Sequence, residues 1–196
     1  MTLSFVPAPG AIVAPVPKTL HTARLRLEPW SDDAVGLFRA LATTPAVVRL
    51  IGDGQPWSDV KIETVAAHIA DHWREHGFGW RLARESASRE AIGFIALAFA
   101  GEGSGIDRDE YEIGWWLTPS AWGHGIAREG AAAVRDEAFN RLAAPGVAAR
   151  IRPENAASLA VARATGLSED GETTGRTGER VSVLRLSARR WRALPR

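Results

Sequence analysis

The sequence predicts a mixed α/β fold in a single domain. Its 196 residues are enough for one domain with a substantial core. Segments in which apolar side chains alternate are interspersed with segments of helical spacing, and the resulting order is β-α-α-β-β-β-α-β-α-β-β. Hydrophobic residues make up 45% and charged residues 24% of the chain, as is ordinary for a globular protein. We find no internal repeat and no domain linker.

Charge and composition narrow the classes of function. The formal net charge is only +1, so no global basic field indicates binding to nucleic acid or to a membrane. The chain contains no cysteine, which excludes a disulfide, a thiolate nucleophile and a zinc–thiolate site. No apolar run approaches the roughly 20 residues of a membrane span. We therefore expect a cytoplasmic protein with neither nucleic acid nor membrane as a partner.

The two ends of the chain differ from the middle. Residues 1–19 are apolar and rich in proline but lack the basic start of a signal peptide, so we interpret them as a flexible extension. Residues 20–187 form the predicted domain. Residues 188–196 are rich in arginine and are predicted to be a solvated basic tail.

The first half of the domain contains three predicted strands and two predicted helices. Ser31 and Ser58 are good N-caps for the two helices, and Gly77 ends the second one. A loop from Thr43 to Gln55 joins them. The segments with strand-like apolar patterns are Arg24 to Leu27, Trp80 to Ala83 and Ala91 to Ala100. The last of these is nearly all apolar, so we expect a central strand that is buried on both faces.

The second half is organised around the segment from Tyr111 to Gly130. Its first seven residues alternate as a fourth strand does, and Pro119 ends the strand because proline cannot donate to a ladder. Gly123 and Gly125 then precede an alanine-rich helix. Backbone N–H groups and the positive end of a helix dipole converge at such a turn, which suits a phosphate or pyrophosphate. Three further strands are predicted at Val147 to Arg152, Leu167 to Thr173 and Val181 to Leu186, with a short helix after the first.

The glycine turn differs from two common phosphate-binding motifs. A dinucleotide fingerprint would need a glycine at position 128, which is Arg128. A P-loop would need Gly-Lys-Ser/Thr, but neither Lys18 nor Lys61 lies nearby. The turn by itself therefore leaves open a purely structural role for its glycines.

Two motifs after successive strands carry a family resemblance. Trp122-Gly-His-Gly-Ile-Ala and Arg152-Pro-Glu-Asn-Ala-Ala-Ser-Leu together resemble the GNAT superfamily of acetyl-CoA-dependent N-acetyltransferases. The opening His21-Thr-Ala-Arg-Leu-Arg-Leu-Glu-Pro-Trp and the strand Ile92-Gly-Phe-Ile are similar to the Rim-type branch, named for acetylation of ribosomal-protein N-termini. The resemblance covers residues 20–186. It implies a GNAT (acyl-CoA N-acyltransferase) fold, whose mostly antiparallel central sheet is flanked by helices and whose fourth and fifth strands splay apart.

The resemblance also implies how acetyl-CoA would bind. The pyrophosphate would take the backbone amides of Gly123, His124, Gly125, Ile126 and Ala127. The pantetheine would pair with backbone groups of the splayed fourth strand at Trp116, Leu117 and Thr118, one of whose N–H groups would face the thioester oxygen. Arg128 would add charge, and Asn155 would contact the pantetheine. Trp122 departs from the family pattern, in which this position is usually Gln or Arg, and any side-chain contact of the usual residue would be missing.

Two side chains are candidates for proton transfer. By resemblance, Ser158 would donate a proton to the departing CoA thiolate, since the only tyrosine, Tyr111, lies on the fourth strand. Glu112, just before the cofactor-binding segment, is the candidate general base. Structural alternatives remain open: Asn155 is a natural N-cap with Ser158 three residues on, and Glu112 could be a surface carboxylate paired with an arginine.

Together these expectations predict an N-acetyltransferase that moves an acetyl group directly to a primary amine. The amine would belong to a protein N-terminus or to a small molecule, and no metal would be needed. The acceptor would enter beside Thr43 to Trp57, with Trp57 and Trp80 as walls. The glycine-rich, acidic loop Gly101 to Asp109 is predicted to be mobile, and the acidic stretch Glu102 to Glu110 could attract a cationic acceptor. His68, His72 and His76 have metal-compatible spacing but are interpreted as a helix face.

Two alternative functions stay open. One is a CoA-binding sensor of the same fold that has lost catalysis. Another is a protein that binds a nucleotide phosphate. Acetyl-CoA and the amine acceptor are the expected partners, and a homodimer is compatible with the sequence.

Overall fold

An eight-stranded sheet forms the centre of the computed structural model, which describes residues 19–195. The prediction of a flexible extension therefore lies, except for Thr19, outside the described residues. The strands are β1 (Leu20–His21), β2 (Leu25–Pro29), β3 (Arg81–Glu85), β4 (Ala91–Phe99), β5 (Tyr111–Leu117), β6 (Gly146–Ile151), β7 (Ser168–Thr174) and β8 (Arg180–Ser187). The α-helices are α1 (Val35–Thr43), α2 (Pro45–Val48), α3 (Asp59–His76), α4 (Ile126–Asn140), α5 (Ala156–Ala164) and α6 (Ala188–Arg192).

The sheet is antiparallel except at its centre. Its strand order is β1-β2-β3-β4-β5-β6-β8-β7. Strand β5 pairs with β4 along its whole length, whereas its parallel pairing with β6 consists of one register pair, Glu112 with Ala148. The predicted fold class, with a mixed, mostly antiparallel sheet, is therefore confirmed. The splayed strands are β5 and β6, the fourth and fifth of the prediction, because the two-residue β1 precedes them.

Two hydrophobic clusters cover the two faces of the sheet. On one face, α4 packs on the strands, and this cluster includes Val134 of α4 and Ile113 of β5. On the other face, α1 and α3 pack through residues such as Phe38 and Ile62. Strand β4 contributes to both clusters, with Ile95 in the first and Phe94 in the second, as predicted for a central strand buried on both faces.

The helix boundaries follow local chemistry, with two differences from the prediction. The Ser58 side chain accepts a hydrogen bond from the Lys61 N–H, and Gly77 ends α3 with a positive φ of 69°, both as predicted. Ser31 instead bonds Asp33, and a 3₁₀ turn precedes α1. The predicted loop after α1 contains the short helix α2, which has Pro45 at its start, where a missing N–H is harmless.

A buried ion pair joins β3 to α4. Arg81 is fully buried, and its Nη2 donates to Glu137 Oε1 at 2.7 Å. Arg141 also donates to Glu137, and the Arg81 guanidinium lies 4.9 Å from the centre of the Trp73 ring. Burial lowers the pKa of Arg81, while the neighbouring Glu137 carboxylate acts in the opposite direction. The sequence analysis assigned no role to this pair.

The C-terminal tail is exposed at Arg189, Arg190 and Arg192, as predicted, but its apolar residues pack against the domain. Trp191 stacks on Phe139 with ring centres 4.9 Å apart, and its Nε1 donates to Asp136 at 2.8 Å. Leu194 also packs against the core, while Arg189 is exposed. Half-buried apolar side chains thus attach the tail to the domain, while its described arginines face solvent. No helix in residues 19–195 combines the length and the apolar character that crossing a membrane requires.

Candidate functional site

The turn between β5 and α4 has the geometry of an anion site. Gly123 and Gly125 have positive φ values of 77° and 74°, which glycine adopts without strain. Helix α4 begins at Ile126, and no side chain caps its N-terminus. The first amides of the helix are therefore available to an anion, and the helix dipole favours negative charge there. These groups fit the pyrophosphate that the resemblance implies.

Arg24, which lies just before β2, supports this turn. Its Nη1 donates to the His124 carbonyl at 2.8 Å, and its Nε donates to Glu129 at 2.6 Å. Thr22 and the Arg24 backbone N–H also donate to Glu129. Burial acts to raise the pKa of Glu129, but these hydrogen bonds outweigh it, so that pKa lies below its ordinary value. The charge of Glu129 is thus paired and does not repel an anion at the turn.

The role of Arg24 could not be predicted from the sequence, because no local signal links this residue to the turn. Arg24 and Glu129 lie 105 positions apart, and only the packing of β2 beside α4 brings them together. Arg128, which was predicted to add charge, is exposed and lines a shallow cavity with Arg24 and Gly125. Two guanidinium groups therefore lie beside the glycine turn.

Trp122 binds the end of β5. Its Nε1 donates to the Leu117 carbonyl at 2.9 Å, and the residue remains 45% exposed. The His124 ring nitrogen Nδ1 lies 2.7 Å from the Trp122 carbonyl, so its imidazole is engaged within the turn. The residue that departs from the family pattern thus connects the turn to the strand.

The backbone of β5 offers fewer free groups than predicted. The Thr118 N–H donates to the Ile92 carbonyl of β4 at 2.9 Å, so it is unavailable to pantetheine. Bonded residues alternate in an antiparallel ladder, so the amide of Trp116 also faces β4. The N–H groups of Trp115 and Leu117 face the opening between β5 and β6. Of the three predicted residues, Leu117 alone presents its N–H there.

Two side chains meet across this opening. The Nε1 of Trp115 on β5 donates to the Oγ of Ser158 on α5 at 3.2 Å. The Oδ1 of Asn155 accepts the Ser158 N–H at 3.1 Å, so Asn155 caps α5 as the structural alternative expected. Ser158 thus lies at the edge of the opening, with its backbone and its hydroxyl both held. The contacts of Asn155 and Ser158 with the cofactor stay predictions.

Glu112 is paired with an arginine. Both of its carboxylate oxygens accept hydrogen bonds from Arg150, at 3.1 and 2.9 Å. Arg150 also donates to the Ser104 carbonyl at 2.9 Å. This is the arginine-paired arrangement that the sequence left open. Each oxygen keeps a second lone pair beside its bond to Arg150, so the pairing leaves room for a role of Glu112 as a base, which stays a prediction.

An aromatic wall, formed by Phe38, Trp57, Trp80 and Trp116, lies on the face of the sheet opposite α4. The Trp116 ring lies 5.1 Å from Trp57 and 5.5 Å from Trp80. The Lys61 ammonium sits 4.3 Å from the centre of the Trp57 ring. The two predicted walls of the acceptor site therefore lie together beside β5. Trp115 packs on the opposite face, as strand alternation requires.

The acidic loop after β4 is anchored, in contrast to the predicted mobility. Arg150 donates to the Ser104 carbonyl, and Thr173 donates to the Gly105 carbonyl. The carboxylate of Glu110 is paired with Arg185 at 2.6 Å, and that of Glu102 with Arg108 at 2.7 Å. Because these charges are compensated, the loop is a weak attractor for a cationic acceptor.

The helical histidines have structural contacts. His72 Nδ1 lies 2.8 Å from the Phe78 carbonyl, and the Phe99 N–H donates to His72 Nε2. The ring is therefore neutral, with its proton on Nδ1. Burial lowers the pKa of His72, although the bond to the Phe78 carbonyl opposes this effect. Among residues 19–195, no group of three or more potential metal ligands is assembled.

Comparison with known proteins identifies the family. The family model described as an acetyltransferase (GNAT) domain matches residues 24–168. The chain belongs to the GNAT acetyltransferase family.

The chain is similar to one curated protein and two solved structures from three different organisms. The FsC-acetyl coenzyme A-N(2)-transacetylase of Aspergillus fumigatus is 30% identical over 156 residues, which cover 76% of this chain and 65% of the relative. The chain thus spans less than two thirds of that relative. An acetyltransferase structure from Agrobacterium tumefaciens has 28% identity and a TM-score of 0.74, covering 95% of this chain and 98% of the other. A spermidine N-acetyltransferase structure from Vibrio cholerae, in complex with CoA and spermine, shares the fold at 17% identity and a TM-score of 0.67, covering 87% of this chain and 99% of the other.

Proposed function

We propose that the protein is an acetyl-CoA-dependent N-acetyltransferase that moves an acetyl group directly to a primary amine. The observation that carries this proposal is the opening between β5 and β6, which has an uncapped helix N-terminus at one end and Ser158 at its edge. Family membership supports the reaction type. The Aspergillus relative is named for transfer from acetyl-CoA, which supports the donor.

The cofactor would be held mainly by backbone groups. The amides from Gly123 to Ala127 would bind the pyrophosphate, with Arg128 adding positive charge. The Leu117 N–H would face the pantetheine or the thioester oxygen, and Asn155 would approach the pantetheine while it caps α5. Bound acetyl-CoA would supply the activated acetyl group.

In the proposed reaction the amine nitrogen loses two protons, one before the attack and one as the amide forms. The amine nitrogen attacks the thioester carbon, the Leu117 N–H stabilises the developing oxyanion, and the carbon–sulfur bond breaks. Ser158 gives its hydroxyl proton to the sulfur and regains a proton, through water, from the amine nitrogen as the amide forms. The proton that the ammonium loses before the attack leaves through water to Glu112, whose oxygens each keep a lone pair beside the bond to Arg150. Alignment of amine and thioester supplies much of the acceleration.

The acceptor would approach along the aromatic wall. A protein N-terminus and a small-molecule amine both remain within the proposal, since the cofactor motifs do not determine the acceptor. We also propose membership of the Rim-type branch, on the basis of the motifs at residues 21–30 and 92–95.

A CoA-binding sensor is the second candidate, and the pairing of Glu112 with Arg150 favours it. Calorimetry with acetyl-CoA, followed by thiol release against a panel of amines, distinguishes the two. We expect binding and turnover with at least one amine. Binding without turnover would favour the sensor, and the absence of binding would contradict both functions.

A further inference from the structure

The hydrogen bond between Trp115 and Ser158 connects the two sides of the opening. It joins β5 to α5 where the backbones of β5 and β6 have already separated. Ser158 is held at two points, because Asn155 also accepts its backbone N–H. The position of the Ser158 hydroxyl is therefore determined by its neighbours.

The chemistry of the two groups fixes the direction of this bond. An indole N–H donates but never accepts, whereas a serine hydroxyl has one hydrogen to donate and two lone pairs that accept. Trp115 occupies one lone pair of Ser158 and cannot receive its hydrogen. Within residues 19–195, no other group accepts that hydrogen. The hydroxyl hydrogen is therefore available to a group bound in the opening, and Ser158 is arranged to act as a hydrogen-bond donor there.

We propose that Trp115 is a positioning residue that makes Ser158 the proton donor of the reaction. This inference rests on the proposed acetyl transfer. As the CoA thiolate leaves, the Ser158 O–H bond breaks and an S–H bond forms. The electron pair stays on Oγ, where the Trp115 N–H stabilises the growing negative charge. The second proton that the amine nitrogen loses, as the amide forms, restores the hydroxyl through water.

Core packing alone does not account for this contact. A phenylalanine would fill the apolar space on this face, whereas the indole brings a donor that requires a partner when it is buried. That partner is the serine at the edge of the opening. Trp115 itself touches no reacting atom, so its effect must pass through Ser158.

A double-mutant cycle on the full chain tests this coupling. Trp115→Phe removes the donor and keeps an aromatic ring. We expect kcat to fall about 10- to 100-fold, the range for a hydrogen bond to a charged group. The KM for acetyl-CoA and its Kd by calorimetry should change less than about threefold. Ser158→Ala should also lower kcat, and adding Trp115→Phe to it should have little further effect.

A matched control removes an indole N–H elsewhere. Trp191→Phe deletes the donor to Asp136 on α4 and should leave kcat unchanged. If Trp115→Phe yields too little folded protein, naphthylalanine at position 115 keeps a bicyclic ring without the N–H, and the same cycle applies.

The outcomes separate this inference from the proposed function. If the wild type is active and Trp115→Phe leaves its kcat unchanged, the inference alone is overturned. The same holds if Trp115→Phe lowers kcat equally in the wild type and in Ser158→Ala. An unchanged kcat in Ser158→Ala removes Ser158 from the mechanism and overturns the inference with it. A wild type that acetylates no amine overturns both the function and the inference.

Discussion

At the residue scale, the two candidate proton carriers differ in how much of their hydrogen-bonding capacity is free. Ser158 accepts one bond from Trp115 and keeps its hydrogen. Glu112 uses both oxygens in bonds to Arg150. Ser158 therefore has a hydrogen to donate, whereas each Glu112 oxygen accepts from a positively charged partner and keeps one lone pair.

Substitution of each member of the Glu112–Arg150 pair separates catalysis from packing. If Glu112 is the general base, Glu112→Gln should lower kcat by about 10²-fold, the lower end of general-base effects. Arg150→Gln should lower kcat far less, because it leaves the carboxylate in place. The measurement is steady-state kinetics with thermal unfolding alongside. Equal losses of activity and stability in both variants would mean that the pair has only a structural role.

At the element scale, the turn before α4 depends on two residues with left-handed backbone conformation. Gly125 precedes the helix at a φ of 74°, where a side chain is strained. The Arg24 guanidinium lies close enough to meet an added Cβ at 3.5 Å. The glycine turn therefore depends both on Gly125 and on Arg24, which is distant from it in the sequence.

Gly125→Ala should therefore destabilise the turn. We expect a loss of about 1–3 kcal/mol in the free energy of unfolding, with weaker binding of CoA. Chemical denaturation and calorimetry measure the two effects. Gly36→Ala in α1 is the control, because its added Cβ meets nothing within 4 Å. It should raise stability by roughly 0.5–1 kcal/mol, so a loss of equal size in both variants would contradict the strain at Gly125.

The contact between α3 and β4 makes stability depend on pH. His72 is neutral in the folded state with a lowered pKa, while in the unfolded chain it protonates near its ordinary value of about 6.5. The free energy of unfolding should fall as pH drops below about 6.5 towards the lowered pKa, because the unfolded state then binds more protons. Denaturation between pH 7 and pH 5 measures this slope. His72→Gln should flatten it, and an unchanged slope would place its origin elsewhere.

At the scale of the whole molecule, the sequence predicts features that depend on neighbouring residues and misses those that depend on tertiary contacts. The strand, glycine turn and helix from residue 111 onwards follow one another directly, so their pattern is visible in the chain. The partners Arg24 and Glu129, and Arg81 and Glu137, lie 105 and 56 positions apart. No periodicity relates such distant positions, and each pair becomes apparent only once the sheet and α4 are assembled.

The packed tail is a second whole-molecule feature. Trp191→Ala should lower the free energy of unfolding by about 2 kcal/mol, less than for a fully buried aromatic residue because Trp191 is half-buried. Arg189→Ala on the same helix is the control and should change it by less than about 0.5 kcal/mol. Thermal or chemical denaturation measures both variants. Equal stability of the two would indicate that the tail contributes little to the fold.

The single register pair between β5 and β6 has a mechanical consequence. It divides the sheet into two parts, β1–β5 and β6–β8, which share few backbone hydrogen bonds where they meet. An extended ligand that is hydrogen-bonded to the backbone in the opening between β5 and β6 would act as a short additional strand and join the two parts of the sheet. The ligand would then be part of what makes the sheet continuous. Slower hydrogen exchange at Leu117 and along β6 upon CoA binding would reveal this stiffening directly.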